Sequence, residues 1–83
     1  MKATIRSILG DVARLDVPLD ELADSDDLYA AGLSSLATVH VMLALENAFD
    51  IEIPDHMLTR QLFRSVDSLA AAVEQIRQQQ EAA

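Results

Sequence analysis

Apolar side chains recur at a helical period in three separate stretches of this 83-residue chain, and this spacing constrains the fold more than any other feature. The first stretch places Ile5, Ile8, Leu9 and Val12 at the i, i+3, i+4 and i+7 positions of one helix face. It predicts a helix over about residues 2–15. Because each such helix must bury its apolar face against another element, the pattern favours a small helical bundle.

Serine residues precede the other two stretches. Ser34 and Ser35 stand before an apolar run that predicts a second helix over about 35–49. Ser65 stands before the run that predicts a last helix over about 65–79. Serine is favoured at these positions because its hydroxyl accepts a hydrogen bond from an otherwise unpaired backbone N–H at the helix start.

A short helix and a long connection complete the predicted architecture. Pro54 suits the first turn of a short helix over about 54–62. The stretch 16–34 has no sustained period, yet it holds five large apolar residues, which predicts an ordered connection packed on the bundle. These residues are Leu19, Leu22, Leu28, Tyr29 and Leu33. We therefore predict an all-α bundle of three main helices and one short helix, in a single domain over 1–83 whose tail, 78–83, frays.

The acidic, cysteine-free composition excludes several functions. A formal net charge of -8 disfavours binding to nucleic acid and to anionic membrane surfaces. The absence of cysteine excludes disulfides, thiol nucleophiles and cysteine-ligated metals. No apolar run approaches the roughly 20 residues of a membrane span, and the first residues lack the apolar core of a signal peptide. We expect a cytoplasmic monomer.

The ionisable residues form no recognisable metal-binding pattern. Asp24, Asp26 and Asp27 imitate part of a calcium loop, but the glycine and the distal glutamate of an EF-hand are missing. His40 and His56 lie far apart in the sequence, and nothing nearby completes a ligand set. We interpret the acidic stretch as solvated and predict no metal site.

A serine hydrolase is also disfavoured. The segment 32–36 resembles the beginning of a G-x-S-x-G nucleophile elbow, but the second glycine is absent and no strand precedes it. A serine nucleophile needs a base within hydrogen-bond reach. His40 would lie about 140° around the helix from Ser35.

The second predicted helix carries apolar residues on two sides. Its inner stripe is predicted to contain Thr38, Val41, Met42, Leu45 and Phe49. Leu36, Val39 and Leu43 form a second stripe, which we call the outer stripe. A helix that is apolar nearly all round is either buried or contacts something. The outer stripe therefore packs against the long connection or faces a partner protein.

The residues around Ser35 resemble the attachment signature of phosphopantetheine carrier proteins. The stretch 27–36, DLYAAGLSSL, is similar to the signature D-L-[FY]-x-x-G-x-D-S-L. The likeness continues through three later segments, Ala44–Glu46, Phe49–Asp50 and Ile51–Pro54. On these residues the chain is identified as a member of the acyl carrier protein family, and its DLYAAGLSS form is similar to that of discrete aminoacyl carrier proteins.

The resemblance implies an acyl-carrier-like four-helix fold and a freestanding carrier that is not an enzyme. A phosphopantetheinyl transferase would attach 4′-phosphopantetheine from CoA to Ser35, and the thiol of this arm would hold an acyl or aminoacyl group as a thioester. A phosphate at Ser35 would lie near a helix N-terminus, which favours anions. The implied partners are this transferase, an acyl- or amino-acid-activating ligase and downstream transferases.

The chain departs from the family pattern at Ser34, where most members have an aspartate that contributes to recognition by the transferase. Either serine then offers a hydroxyl, but the register against Gly32 and Leu36 favours Ser35. The second helix is also poor in acids, so we expect recognition to depend more on the outer stripe. The residues predicted to contact partners are Ser34, Leu36, Val39, Leu43 and Glu46.

The sequence does not identify the group that the carrier holds, although we do not expect long-chain acyl groups to be its main cargo. A second hypothesis is an unmodified, acidic helical module that uses the outer stripe to bind another protein. The two hypotheses differ at Ser35, which only the carrier requires.

Overall fold

The computed structural model describes the backbone of residues 1–82 and the side chains of residues 1–80. Three α-helices, α1 (Lys2–Ile8), α2 (Ser35–Phe49) and α3 (Val66–Ala82), account for most of the regular structure. The described residues include no strand, and none of their helices has the length and apolarity needed to cross a membrane. The predicted all-α fold with three main helices is confirmed.

The core lies where α1 packs against both α2 and α3. Each helix contributes one apolar side, as the helical spacing predicts. The largest fully buried side chains are Ile5, Leu9, Leu28, Leu45, Leu69, Val41, Val66 and Val73. Leu28 belongs to the connection before α2, so that connection is part of the core rather than a covering of it.

The first predicted helix, over 2–15, is wrong in its second half. The α-helix ends at Ile8, a π-helical turn follows over Leu9–Ala13, and Arg14 ends the element in the left-handed region at φ 50°. The wider turn keeps Leu9 and Ala13 buried and leaves Val12 only partly buried. Apolar spacing does not distinguish i→i+4 from i→i+5 hydrogen bonds, so this change could not be predicted from the spacing.

The predicted short helix over 54–62 is also wrong in its extent. Only a 3₁₀ turn, Asp55–Met57, forms there. At Leu58 the backbone leaves the helical region, with ψ at 72°. The Thr59 hydroxyl then accepts a hydrogen bond from the Leu62 N–H at 3.4 Å, a local bond that competes with helix formation. The resulting bend places Leu62 and Phe63 in the core.

The start of α3 is set by the predicted cap, Ser65. Its Oγ accepts from the Ser68 N–H at 3.0 Å, and the Ser68 Oγ accepts from the Ser65 N–H at 3.0 Å. This reciprocal pair is a capping box in which serine replaces the usual glutamate. The helix continues to Ala82, beyond the predicted end at 79 and through most of the segment expected to fray. Ala83 lies outside the described residues.

The long connection before α2 is ordered, as predicted. Leu22, Leu28 and Leu33 are buried, and Leu19 and Tyr29 are partly buried. A 3₁₀ turn forms over its Leu19–Glu21 segment. The connection therefore behaves as a fourth packing element, although it contains little regular helix.

Backbone hydrogen bonds fasten this connection to the segment between α2 and α3 and to the first turn of α3. The Leu28 N–H donates to the Arg64 carbonyl at 2.6 Å, and the Asp67 N–H donates to the Asp24 carbonyl at 3.0 Å. The guanidinium of Arg6 adds hydrogen bonds to the Asp24 carboxylate at 2.9 Å and to the Leu22 carbonyl at 2.8 Å. These contacts hold the residues before Ser35 beside the α2–α3 connection.

Lys2 joins the beginning of α1 to the first turn of α3. Its Nζ lies 2.7 Å from the Asp67 Oδ1 and 4.0 Å from the Asp24 Oδ2. Asp67, through a hydrogen bond and its negative charge, raises the pKa of Lys2 above 10.5, and the charge of Asp24 adds to this. Because the pair is largely exposed, it contributes little to stability.

Candidate functional site

Ser34 is the N-cap of α2. Its backbone is extended, with φ -89° and ψ 165°, and its Oγ accepts a hydrogen bond from the Ala37 N–H at 3.1 Å. Aspartate is an equally good N-cap residue, so the departure from the family signature at this position keeps the cap and removes a negative charge. The hydroxyl of Ser34 is therefore already engaged with the helix.

Ser35 is the first residue of α2, and its side chain is exposed. Its carbonyl accepts from the Thr38 hydroxyl at 2.6 Å. None of the hydrogen bonds found among the described residues uses the Ser35 hydroxyl, in contrast to that of Ser34. Of the two serines, Ser35 is thus the one whose hydroxyl is not engaged in capping the helix.

An open cleft of about 290 Å³ adjoins Ser35. Its other lining residues are Tyr29, Thr38, Leu58, Thr59, Arg60 and Phe63. The guanidinium carbon of Arg60 lies 3.9 Å from the centre of the Tyr29 ring, in cation–π contact. Among the described residues that line this cleft, Arg60 alone carries a charge. We call it the Ser35 cleft.

Sequence reasoning missed Arg60, because the residue lies in the predicted short helix over 54–62, to which no functional role was assigned. The signal that was present is compositional. Arg60 and Arg64, two of the six basic residues of this acidic chain, fall together in the α2–α3 connection. The hydrogen bond from Leu28 to the Arg64 carbonyl explains why this connection reaches the site.

A larger cleft of about 520 Å³ lies on the opposite face of the α2 N-terminus. It is lined by Gly32, Ser34, Leu36 and His40, together with the π-helical turn and Arg14. Gly32 has φ +107°, and a Cβ added there would lie 2.5 Å from the Asp16 Oδ2. Glycine is therefore required at this position, both by the backbone conformation and by the closeness of Asp16.

The outer stripe of α2 is exposed. Leu36 is 69% exposed, Val39 47% and Leu43 54%, so the alternative in which the long connection covers them is wrong. The inner stripe is confirmed in part, since Val41 and Leu45 are fully buried. The remaining inner-stripe residues, Thr38, Met42 and Phe49, are partly buried. Ala37, which was not predicted to face inward, is buried as well.

Glu46 has a structural role that sequence reasoning did not anticipate. Its Oε2 accepts a hydrogen bond from the Ile53 N–H at 2.9 Å, and its carbonyl accepts from the Ile51 N–H at 3.1 Å. These bonds hold the chain after α2 so that Ile51 and Ile53 are buried. Contact between Glu46 and a partner protein stays a prediction.

The acidic residues before α2 are used locally. The Asp26 Oδ2 accepts from the Ala23 N–H at 2.8 Å, and the Asp27 Oδ1 accepts from the Tyr29 N–H at 2.9 Å. Aspartate side chains stabilise turns in this way. In the described part of the chain, no group of three or more histidine and carboxylate side chains is placed to hold a metal ion.

The two histidines do not line the Ser35 cleft. His40 lines the larger cleft with Ser34, and His56 lies exposed in the 3₁₀ turn after α2. A serine nucleophile requires a base within hydrogen-bond reach, and this arrangement supplies none from either histidine. Neither histidine is therefore placed to act as the base of a Ser35 nucleophile.

The chain is similar to carrier proteins of one family. The family described as phosphopantetheine attachment site matches residues 3–73, and the chain belongs to this family. An aminoacyl carrier protein of Agrobacterium fabrum is 51% identical over 83 residues, which is 100% of both chains.

Solved structures support the same assignment. One is a crystal structure of an engineered Bradyrhizobium japonicum glycine:[carrier protein] ligase complexed with a carrier protein from Agrobacterium tumefaciens and AMP. A chain of this complex is similar to the present chain, with a TM-score of 0.86 and 51% identity, and the match covers 89% of this chain and 99% of that one. Another is the holo acyl carrier protein of Nitrosomonas europaea, with a TM-score of 0.77, 38% identity, and coverage of 89% and 90%.

Membership in this family confirms three predictions: the acyl-carrier fold, the covalent 4′-phosphopantetheine and the role as a carrier of acyl or aminoacyl groups. The chain is thus a member of a carrier family rather than of an enzyme family. The residues of the Ser35 cleft fit the arm, because they offer a free hydroxyl for attachment, a cation and an apolar wall formed by Leu58 and Phe63.

Proposed function

We propose that Ser35 carries the 4′-phosphopantetheine arm and that the thiol of this arm carries an amino acid as a thioester. The observation that supports this assignment most directly is the difference between the two neighbouring hydroxyls. That of Ser34 caps α2, whereas that of Ser35 is exposed and makes no hydrogen bond among the described residues.

The attachment step consists of one phosphoryl transfer. The Ser35 Oγ forms a bond to the phosphorus of CoA that bears pantetheine, and its proton passes to a base of the transferase. The bond between that phosphorus and the bridging oxygen of the pyrophosphate breaks, and the oxygen leaves with adenosine 3′,5′-bisphosphate. The chain contributes orientation, because the Ser34 cap fixes the first turn of α2. In this proposal the chain has no catalytic activity of its own, and the transferase supplies the acid–base groups.

The proposed cargo follows from the similar proteins. A full-length relative is an aminoacyl carrier protein, and a similar carrier is complexed with a glycine:[carrier protein] ligase. We propose that an amino-acid-activating ligase of this kind loads the chain in the cytoplasm. Once loaded, the monomeric, freestanding carrier presents the thioester to downstream transferases.

The outer stripe is the proposed docking surface for these partners, together with Ser34 and Glu46. Its three apolar side chains are exposed on the same helix that begins at Ser35, so a bound partner would lie next to the arm. The stripe carries little charge, and binding should weaken less with added salt than binding through an acidic helix would.

Attachment is tested by the intact mass of the apo chain after incubation with CoA and a phosphopantetheinyl transferase. The wild type and Ser34→Ala should each gain the mass of one phosphopantetheinyl group, and Ser35→Ala should gain none. An unchanged wild type, or a gain that survives Ser35→Ala, would overturn the proposal.

The cargo is tested by adding ATP, a glycine:[carrier protein] ligase and single amino acids to the holo chain. Loading should add the mass of one aminoacyl group, and hydroxylamine should remove it, since a thioester is cleaved by this nucleophile. If fatty acyl groups are loaded and no amino acid is, the aminoacyl part of the proposal is wrong and the carrier role stands.

The docking surface is tested with Leu43→Asp, and Gln75→Asp on the exposed side of α3 is the matched control. Burial of a leucine side chain contributes about 1.5–3 kcal/mol, so Leu43→Asp should weaken ligase binding by about tenfold or more. Gln75→Asp adds the same charge and should leave the affinity unchanged. The unmodified interaction module predicts instead that Ser35→Ala leaves all activity in the cell intact.

A further inference from the structure

Arg60 lies over the ring of Tyr29 in the Ser35 cleft, with 3.9 Å between its guanidinium carbon and the ring centre. A cation–π contact uses the charge of the guanidinium and does not require all five of its N–H donors. No carboxylate lies within 4.0 Å of Arg60 among the ion pairs of the described residues. The side chain is thus positioned but not neutralised.

A cation so placed is unusual in this chain, which has 14 acidic residues and six basic ones. The other positioned arginine, Arg6, hydrogen-bonds to the carboxylate of Asp24. Arg60 lines the Ser35 cleft, whose other described lining residues are uncharged, and it also lines a neighbouring cleft that contains Asp27 and Arg64. Asp27 makes no ion pair with Arg60 there, and its Oδ1 accepts a hydrogen bond from the Tyr29 N–H. An unneutralised guanidinium in such a cleft favours an anion, and its fork of donors matches two oxygens of a phosphate.

The anion that this position would receive follows from the proposed attachment at Ser35, on which the inference depends. The phosphorus of the arm is bonded directly to the Ser35 Oγ, so the phosphodiester lies at the cleft whatever direction the rest of the arm takes. We infer that Arg60, positioned by Tyr29, binds the phosphodiester of the arm in the holo chain.

This contact would direct the arm along the cleft. Leu58, which is 38% exposed, and Phe63 form the apolar wall on which the pantetheine part can lie. The outer stripe of α2 takes no part in lining this cleft. The arm would therefore rest beside the docking surface without covering it, and a partner could bind before the arm leaves the cleft.

The test uses the full chain made by chemical synthesis, with the arm already on Ser35 and ¹⁵N-arginine at position 60 alone. Nuclear magnetic resonance compares the Arg60 Nε–H signal with and without the arm. We expect a shift on adding the arm, a several-fold slower exchange of this proton with water, and a return toward the arm-free values in concentrated salt. A chain labelled at Arg64, which shares the neighbouring cleft with Arg60 and Asp27 but does not line the Ser35 cleft, should show none of these changes.

Variants provide a second measurement, the ³¹P chemical shift of the arm. In Arg60→Gln it should move to the value of a short, unstructured peptide carrying the same modified serine, and Arg60→Lys should give an intermediate value. Arg64→Gln should leave the shift unchanged. All of these residues are exposed, so the variants should fold.

An Arg60 signal that ignores the arm would overturn the inference, as would one that responds only when a ligase is added, since it would then mark a partner contact. Because the arm is installed by synthesis, these results are read independently of the transferase. Failure of the transferase to modify Ser35 would contradict the proposed function and leave the measured Arg60 contact as it stands.

Discussion

Glu46 and Ile53 are joined by a hydrogen bond of 2.9 Å between the Ile53 N–H and the Glu46 Oε2. The bond links the last turns of α2 to the extended segment that follows, and it allows the buried Ile53 to satisfy its backbone donor. A residue that was predicted from the sequence to contact partner proteins thus also stabilises the fold.

Glu46→Ala should lower the free energy of unfolding by about 1–3 kcal/mol, because it leaves the Ile53 N–H without its charged acceptor. Glu46→Gln keeps an acceptor oxygen and should lose less. Urea unfolding measures both variants, with the exposed Glu52→Ala as a control that should change stability by less than about 0.5 kcal/mol. Equal stability of Glu46→Ala and wild type would show that the hydrogen bond is unimportant.

Ser34→Ala should destabilise the apo chain by about 0.5–2 kcal/mol, since the Ala37 N–H loses its capping acceptor. Ser34→Asp should be at least as stable as the wild type, because a carboxylate caps the helix and interacts favourably with its dipole. Thermal unfolding compares the two with Ser35→Ala, which removes no described hydrogen bond and should be nearly neutral. Ser34→Asp should also be modified faster by a transferase that recognises the aspartate usual in this family.

Gly32→Ala should destabilise the chain by about 1–3 kcal/mol from backbone strain alone, because alanine rarely adopts φ +107°. The new Cβ would also lie 2.5 Å from the Asp16 Oδ2. Gly10→Ala is the matched control, since its Cβ meets only the end of the flexible Leu19 side chain. The double variant Gly32→Ala/Asp16→Ala should recover the steric part of the lost unfolding free energy but not the part that is due to backbone strain. Urea unfolding of the single and double variants measures both parts.

The pairing of Lys2 with Asp67 should give the stability a pH dependence in the alkaline range. The folded-state pKa of Lys2 is raised, so the pair stabilises the fold fully below about pH 10.5 and loses this effect as the pH rises through the higher folded-state pKa. The stability difference between wild type and Lys2→Met should therefore shrink at high pH. Lys2→Arg keeps its positive charge at high pH, so its stability advantage over Lys2→Met should persist there. A difference between wild type and Lys2→Met that does not shrink at high pH would contradict the pairing.

Helical periodicity predicted the parts of the fold that depend on a single repeated spacing. The α2 boundaries and the Ser65 start of α3 agree with the structure, because capping serines and apolar runs are local signals. The errors fall where hydrogen bonding changes without a change in apolar spacing, as in the π-helical turn Leu9–Ala13. They also fall where a distant contact overrides local preference, as in the bend that buries Phe63.

The candidate site, like the fold, could be predicted where it depends on neighbouring residues in the sequence. The outer stripe and the serine at the start of α2 follow from residues that are close together in the sequence, whereas the exposure of the stripe was one of two alternatives that the structure decided. The position of Arg60 beside Ser35 could not be predicted, because it depends on contacts between segments that are far apart in the chain. Glu46 was assigned to the surface, since no local pattern indicates that its side chain reaches forward to Ile53.

The hydrogen bonds from Leu28 to Arg64 and from Asp67 to Asp24 have a consequence for the order of events during synthesis. Each joins an early segment to one that the ribosome produces much later, and contacts of this kind form slowly because a long loop must close first. The Ser35 cleft can therefore assemble only after the α2–α3 connection has left the ribosome. We expect a transferase to modify completed chains far faster than nascent ones that end before Arg64.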